Sequence, residues 1–66
     1  GKYAQAEPLY REAIASHERS GPGGMELARH LYRHAEVLRH LQNYAEAARA
    51  ETRAMGIRVR HSLRKD

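Results

Sequence analysis

Five histidines are the side chains of this 66-residue chain that could bind a metal ion, since it contains no cysteine. His30 and His34 stand four positions apart, with Glu26 one helical turn earlier. Two imidazoles at this spacing can share a zinc or copper ion. The stretch lacks the glutamate of the His-Glu-x-x-His motif, and spacing fixes no third ligand. The sequence therefore favours ordinary histidines, with His34 semi-buried and His17, His40 and His61 at the surface, and it predicts no metal and no cofactor.

Nucleophilic and phosphate-transfer chemistry would require other groupings. No serine or threonine is paired with a histidine and an acid at a diagnostic spacing. The glycine-rich stretch 21–24 lacks the lysine and the Ser/Thr of a phosphate-binding loop, and no strand pattern precedes it. We therefore predict no catalytic residues, and we interpret 21–24 as a linker.

Arginine outnumbers lysine ten to two, which raises nucleic-acid binding as an alternative function because guanidinium groups suit phosphates and base edges. The formal net charge is +4, and the excess lies at the C-terminal end, where Arg58, Arg60, Arg64 and Lys65 follow one another without an intervening acid. Most other arginines have an acid about one helical turn away, as Arg29 has Glu26. This pattern is typical of a solvated helix surface and disfavours a small basic helical nucleic-acid-binding domain.

The length limits the chain to one small domain. A domain of this size buries only about 60% of its unfolded surface and is marginal by itself. No apolar run is long enough to span a bilayer, and no signal-peptide pattern opens the chain. We expect a cytoplasmic protein without membrane contact, and the chain reads like a fragment of a longer one.

Apolar residues recur at three- and four-residue steps in three segments, which predicts an all-α fold with helices over about 4–20, 25–41 and 44–63. Breakers at 21–24 separate the first two helices, and Gln42 and Asn43 separate the last two. Pro8 is expected to delay the start of the first helix to Ala4 or Gln5, or to cost it one hydrogen bond.

The first and third predicted helices repeat each other at an offset of 41 residues. The matched pairs are Tyr3 with Tyr44, Ala4 with Ala45, Ala6 with Ala47, Ala13 with Ala54 and Ile14 with Met55. Such self-similarity is the sequence sign of a stacked array, in which each unit buries its face against the next.

The stretch 1–13, with its Ala-Glu-Pro-Leu-Tyr run, resembles the second helix of a tetratricopeptide repeat, in the longer-period variant found in kinesin light chains. The resemblance covers nearly the whole chain. It implies antiparallel helix hairpins of a solenoid and about one and a half repeats, with 1–20 as the second helix of one repeat and 25–63 as a full repeat. The implied packing positions are Tyr3, Ala6, Tyr10, Ala13, Leu31, Ala35, Leu38, Tyr44, Ala47 and Ala54.

Three residues depart from the family pattern. His34 takes a position that is usually leucine, Gln42 replaces the usual glycine before the turn, and Glu51 stands where Tyr10 stood one repeat earlier. The third helix is therefore more polar on its packing side than the first. Because terminal units of arrays must face water, we interpret it as the last helix of an array or as a capping helix.

The resemblance also implies the function, which is a protein-interaction scaffold without catalysis. In such arrays the first helix of each pair lines the concave surface and binds a peptide or partner helix. The residues in these positions are Arg29, Tyr32, Arg33, Glu36, Arg39 and His40. Arginines would bind carboxylates there, so an acidic or C-terminal peptide is the implied ligand.

The first predicted helix has lost the helix that would precede it in an array. Its apolar side includes Tyr3, Leu9, Tyr10 and Ile14, and one neighbouring helix pair cannot cover all of it. Exposed apolar patches promote association. We therefore expect a dimer or a swapped homo-oligomer formed through this helix.

Overall fold

A computed structural model describes residues 1–20 and 24–64 and contains three α-helices there, with no strand. They are α1 (Lys2–Ser20), α2 (Met25–His40) and α3 (Tyr44–Arg64). The predicted all-α class is confirmed, and the helix bounds agree with the predicted ones to within two residues. Of the predicted linker 21–24, only Gly24 belongs to the described residues, and Lys65 of the basic run also lies outside them.

Helix α1 begins at Lys2 and continues through Pro8. The expected late start at Ala4 or Gln5 is wrong, and the alternative of one lost hydrogen bond is what occurs. Proline has no N–H for the carbonyl of Ala4, four residues earlier. Because Ala4 is exposed, water can satisfy that carbonyl, which keeps the cost of the proline low.

The α2–α3 turn is closed by two backbone hydrogen bonds after the last helical turn. The Gln42 N–H donates to the carbonyl of Arg39 at 2.9 Å, and the Asn43 N–H donates to that of Leu38 at 2.8 Å. These bonds form a Schellman motif, which normally carries glycine at the position of Gln42. Gln42 has a φ of 66°, so a side chain occupies the left-handed region that favours glycine. A glycine, which the family resemblance leads us to expect here, would adopt this φ without strain, whereas Gln42 adopts it with a side chain.

Gln42→Gly should raise the free energy of unfolding by about 0.5–1 kcal/mol, because it removes the left-handed strain at the cost of some unfolded-state entropy. Urea denaturation followed by circular dichroism measures the change. Gln5→Gly is the matched control, since Gln5 is exposed in α1, and there the same substitution should lower stability by about 0.5 kcal/mol. A loss of stability in both variants would contradict the assignment of strain to Gln42.

Helix α2 lies between the other two and runs antiparallel to both. Its contacts with α1 pair residues in opposite chain order, as in Tyr3 with His40 and Glu7 with His34. On the other side, Arg39 meets Glu51 and Tyr32 meets Arg58. The shared core contains Ile14, Leu27, Ala28, Leu31, Ala35, Leu38, Ala47, Ala50, Ala54 and Ile57. Five of these ten residues are alanines, which lets the helix backbones approach closely.

The ten predicted packing residues have different degrees of burial. Five of them are fully buried, namely Leu31, Ala35, Leu38, Ala47 and Ala54. Ala6, Tyr10 and Ala13 of α1 are half-buried, and Tyr3 is 43% exposed although its ring stacks on α2. Tyr44 differs most, with 61% exposure. The reason is that Tyr3 meets α2, whereas no described element meets the corresponding face of α3.

The three helices form a slab with extents of 43 × 22 × 14 Å. Its smallest dimension is about one third of its largest. The accessible surface is 4962 Å², whereas a compact protein of 7.6 kDa exposes about 4,300 Å². Each helix therefore keeps a face toward solvent.

Candidate interaction surfaces

The six residues predicted to bind a peptide divide into two groups on α2. Arg29, Arg33, Glu36 and His40 follow one another at four- and three-residue steps and are all exposed, so they form one outward row. Tyr32 and Arg39 lie on the flank that faces α3. The structure brings four of the six onto one surface.

Several of these side chains already have partners within the chain. Arg39 forms an ion pair with Glu51, and the Arg58 guanidinium lies 5.9 Å from the centre of the Tyr32 ring. His40 stacks on Tyr3 with ring centroids 3.9 Å apart and planes 6° from parallel. The outward row of α2 is thus mostly charged and offers no large apolar side chain on which a partner could bury surface. The binding role of these six residues stays a prediction.

A buried polar contact joins α1 to α2. The side chain of His34 is 7% exposed, and its Nε2–H donates to the Glu7 carboxylate at 2.8 Å. Arg11 binds the same carboxylate at 2.5 Å and reaches Glu46 of α3 at 3.0 Å. The hydrogen bond from His34 is the main cause that lowers the pKa of Glu7, and Arg11 adds to it against the opposing effect of burial. One carboxylate therefore helps to connect all three helices.

The contact between His34 and Glu7 predicts that the fold loses stability in acid. A carboxyl group whose pKa is lowered on folding stabilises the fold fully above its unfolded pKa, which is about 4.3, and loses that contribution as the pH falls through the folded value. The free energy of unfolding should therefore fall below about pH 4.5, and Glu7→Gln should flatten that dependence. Urea titrations between pH 3 and 7 measure it. Glu12→Gln is the matched control on an exposed position of α1, and equal slopes in the two variants would contradict the role of Glu7.

Histidines 17 and 30 contact each other, whereas His34 has a different partner. The Nδ1 of His30 is 2.9 Å from the carbonyl oxygen of Glu26, to which it donates, and the His17 and His30 ring centroids are 4.8 Å apart. His34 is oriented toward Glu7. Within residues 1–20 and 24–64, no group of three or more potential ligands is arranged to hold a metal ion.

A groove of about 310 Å³ lies between α1 and α3, and residues of α2 form its floor. Ile14, Leu31 and Leu38 are among its apolar lining residues. Two ion pairs connect α1 to α3 here, Arg11 with Glu46 and Glu18 with Arg53. Four of the polar side chains that line this groove are thus used to hold the helices together, and Arg49 lines it as well.

A row of exposed, mostly apolar side chains runs along α3, and we call it the α3 stripe. Its members follow one another at steps of four, four, three, four and four residues, so they lie within about 100° around the helix. They are Tyr44, Ala48, Thr52, Met55, Val59 and Leu63. All six are exposed, the four largest by 53–78%, and none carries a charge. Met25 of α2 extends the surface, since it lines a groove of about 430 Å³ with Met55 and Val59.

The 41-residue repeat relates the α3 stripe to residues of α1 whose contacts the structure shows. At the offset of 41, its first five positions correspond to Tyr3, Glu7, Arg11, Ile14 and Glu18 of α1. All five contact the α2–α3 pair, through a ring stack, a hydrogen bond, ion pairs or core burial. The face with which α1 docks is therefore repeated on α3, where no described residue covers it.

The helical period of the third segment does not by itself separate its buried residues from its exposed ones. In the structure Ala47 and Ala54 are buried, whereas Ala48 and Met55 are exposed. The regular steps from Tyr44 to Leu63 were a signal that could have found the stripe. Exposed apolar side chains also do not fit the expectation of a water-facing capping helix.

Comparison with known proteins adds no relative to this description: no family model, no curated protein and no solved structure matches the chain. None of the described helices has the length and apolar character needed to cross a membrane.

Proposed function

We propose that this chain is a protein-interaction module of the tetratricopeptide type, which binds a partner peptide or helix through the α3 stripe and catalyses no reaction. The observation that carries the proposal is the exposure of this uncharged row at the positions that α1 uses for docking. An apolar surface that stays in contact with water favours association, and a partner that covers it gains hydrophobic free energy.

The outward row of α2 is the second surface within this proposal. Its arginines suit carboxylates, as the family resemblance implies, but exposed charge pairs contribute little affinity by themselves. Buried aromatic anchors often supply much of the binding energy, and Tyr44 is such a side chain, to which Met55 and Val59 add apolar area. We therefore assign the anchor of the partner to the α3 stripe and a supporting role to α2.

A displayed library of random peptides, selected on the folded chain, tests the proposal. Enriched peptides would be synthesised and titrated against the unaltered chain and two variants. Met55→Glu places a charge in the stripe at an exposed position and should weaken binding more than tenfold. Arg33→Glu changes the outward row of α2 and should alter affinity less than threefold. Circular dichroism would confirm that both variants keep their helices.

Two results would count against this function. One is the absence of any enriched peptide that Met55→Glu weakens. The other is tight binding of the chain to duplex DNA with a steep loss of affinity as salt rises, which would favour the nucleic-acid alternative. A larger effect of Arg33→Glu than of Met55→Glu would move the anchor to the predicted α2 surface.

A further inference from the structure

We propose that the partner of the α3 stripe is an amphipathic α-helix whose apolar side is bordered by acidic residues. This inference rests on the proposed function and deepens it by naming the chemistry of the partner.

The repeat indicates that the partner is helical. Tyr3 and Ile14 of α1 correspond to Tyr44 and Met55 of α3, and both α1 residues pack on an α-helix. The α3 stripe presents side chains at the same helical spacing, so another helix can pack along it in a similar way.

The charges around the stripe indicate that the partner is acidic. Arg49 and Arg60 each follow a stripe residue by one position, which places them along one border of the stripe, and Arg49 also lines the groove between α1 and α3. Arg58 lies on the other border, where it lines the groove with Met55 and Val59. Within the part of the chain that the structure describes, none of these three arginines forms an ion pair with a carboxylate. Glu51 is the acid nearest the stripe, and Arg39 already binds it.

The corresponding face of α1 has the opposite character. Two of its five docking residues are Glu7 and Glu18, and they bind His34 and Arg53 of the α2–α3 pair. At the same positions α3 has Ala48 and Val59. A copy of the α2–α3 pair, in which His34 and Arg53 bind these two glutamates, would therefore lose both carboxylate partners on α3. A helix with apolar side chains at its centre and carboxylates at its edges fits better.

A second copy of the chain fits the stripe less well. In an antiparallel pair of identical helices, each border of the stripe faces the same border of the other copy. Arg49 and Arg60 would then face their own counterparts, and like charges across an interface oppose association. The charge pattern thus selects an acidic partner over self-association through α3.

Three labelled synthetic peptides of about 18 residues test the proposal, since shorter isolated helices are marginal in water. The first has a leucine and alanine stripe bordered by glutamates, the second has the same stripe bordered by lysines, and the third scrambles the first. Fluorescence anisotropy with the full chain should show binding of the first at least threefold tighter than binding of either other peptide. Raising the salt concentration should reduce the difference in affinity between the glutamate-bordered and lysine-bordered peptides, because salt screens exposed charges.

Variants then assign the contacts. Met55→Glu and Val59→Glu should each weaken the glutamate-bordered peptide more than tenfold. The double variant Arg49→Glu and Arg60→Glu should remove its preference over the lysine-bordered peptide. Leu9→Glu is the control, because Leu9 is 67% exposed on α1 and lies off the stripe, and it should change affinity less than twofold.

Four outcomes would overturn the proposal. They are equal binding of the acidic and basic amphipathic peptides, equal binding of the scrambled one, binding only to vesicles of anionic lipid, and a dimer that Met55→Glu converts to a monomer. The peptide library keeps the two proposals distinguishable. If library peptides bind the stripe but lack acidic residues, the further inference fails and the proposed function stands.

Discussion

Leu38→Ala should lower the free energy of unfolding by about 3 kcal/mol, because Leu38 is 1% exposed at the centre of the core and alanine leaves a cavity there. The free energy of unfolding of a 66-residue domain is only about 3–10 kcal/mol, so the loss is a large fraction of the whole. Thermal and urea denaturation followed at 222 nm would measure it.

Leu63→Ala is the matched control for this substitution. Leu63 is 78% exposed in the last turns of α3, so the same chemical change should shift stability by less than about 0.5 kcal/mol. Similar losses in the two variants would show that Leu38 does not lie in a packed core, and the antiparallel arrangement of α2 between α1 and α3 would then be wrong.

Ala54→Leu should lower the free energy of unfolding by about 1–3 kcal/mol for the opposite reason. Ala54 is 0% exposed where α3 packs against α2, and three additional carbon atoms have no space there. The variant should separate the two helices or force strained rotamers, which a lower melting temperature and weaker amide-exchange protection in α2 would report.

Ala45→Leu gives the comparison, since Ala45 is exposed in the first turn of the same helix. Alanine and leucine have similar helix propensities, so this variant should remain within about 0.5 kcal/mol of the unaltered chain. If Ala54→Leu were equally well tolerated, the close approach of α2 and α3 through small residues would be refuted.

The helices and most of the core could be predicted because hydrophobic period is a local property of the sequence. Leu31, Ala35 and Leu38 recur on one side of α2 whatever its neighbours are, and all three are buried. The turn at Gln42 was also visible, since only a few residues separate two strongly periodic segments. Local patterns therefore gave both the elements and the helix that lies between the others.

Contacts between helices could not be predicted in the same way. Arginines were matched with acids one turn away, yet Arg53 binds Glu18, and Arg11 adds a contact to Glu46 across helices. His34 was expected to be semi-buried. Its hydrogen-bond partner, Glu7, lies 27 positions away in the chain, so no local pattern could identify it. Which of several acids an arginine meets depends on how the helices are placed against each other, and the sequence period does not contain that information.

The exposed stripe on α3 was missed for a related reason. Apolar residues at helical spacing are equally consistent with a covered and an uncovered helix face. The number of alanines on a helix does not distinguish the two cases. Ala47 and Ala48 are adjacent in the chain, and only the position of α2 makes the first buried and the second exposed.

A slab only 14 Å thick has a consequence for how such a molecule can change. The packed side chains and those of the α3 stripe lie on different sides of the same helix, and the consecutive residues Ala54 and Met55 are one example of each. Substitutions in the exposed row therefore need not disturb the packed side. We expect that selection, natural or in the laboratory, can change the stripe while the melting temperature of the chain stays almost constant.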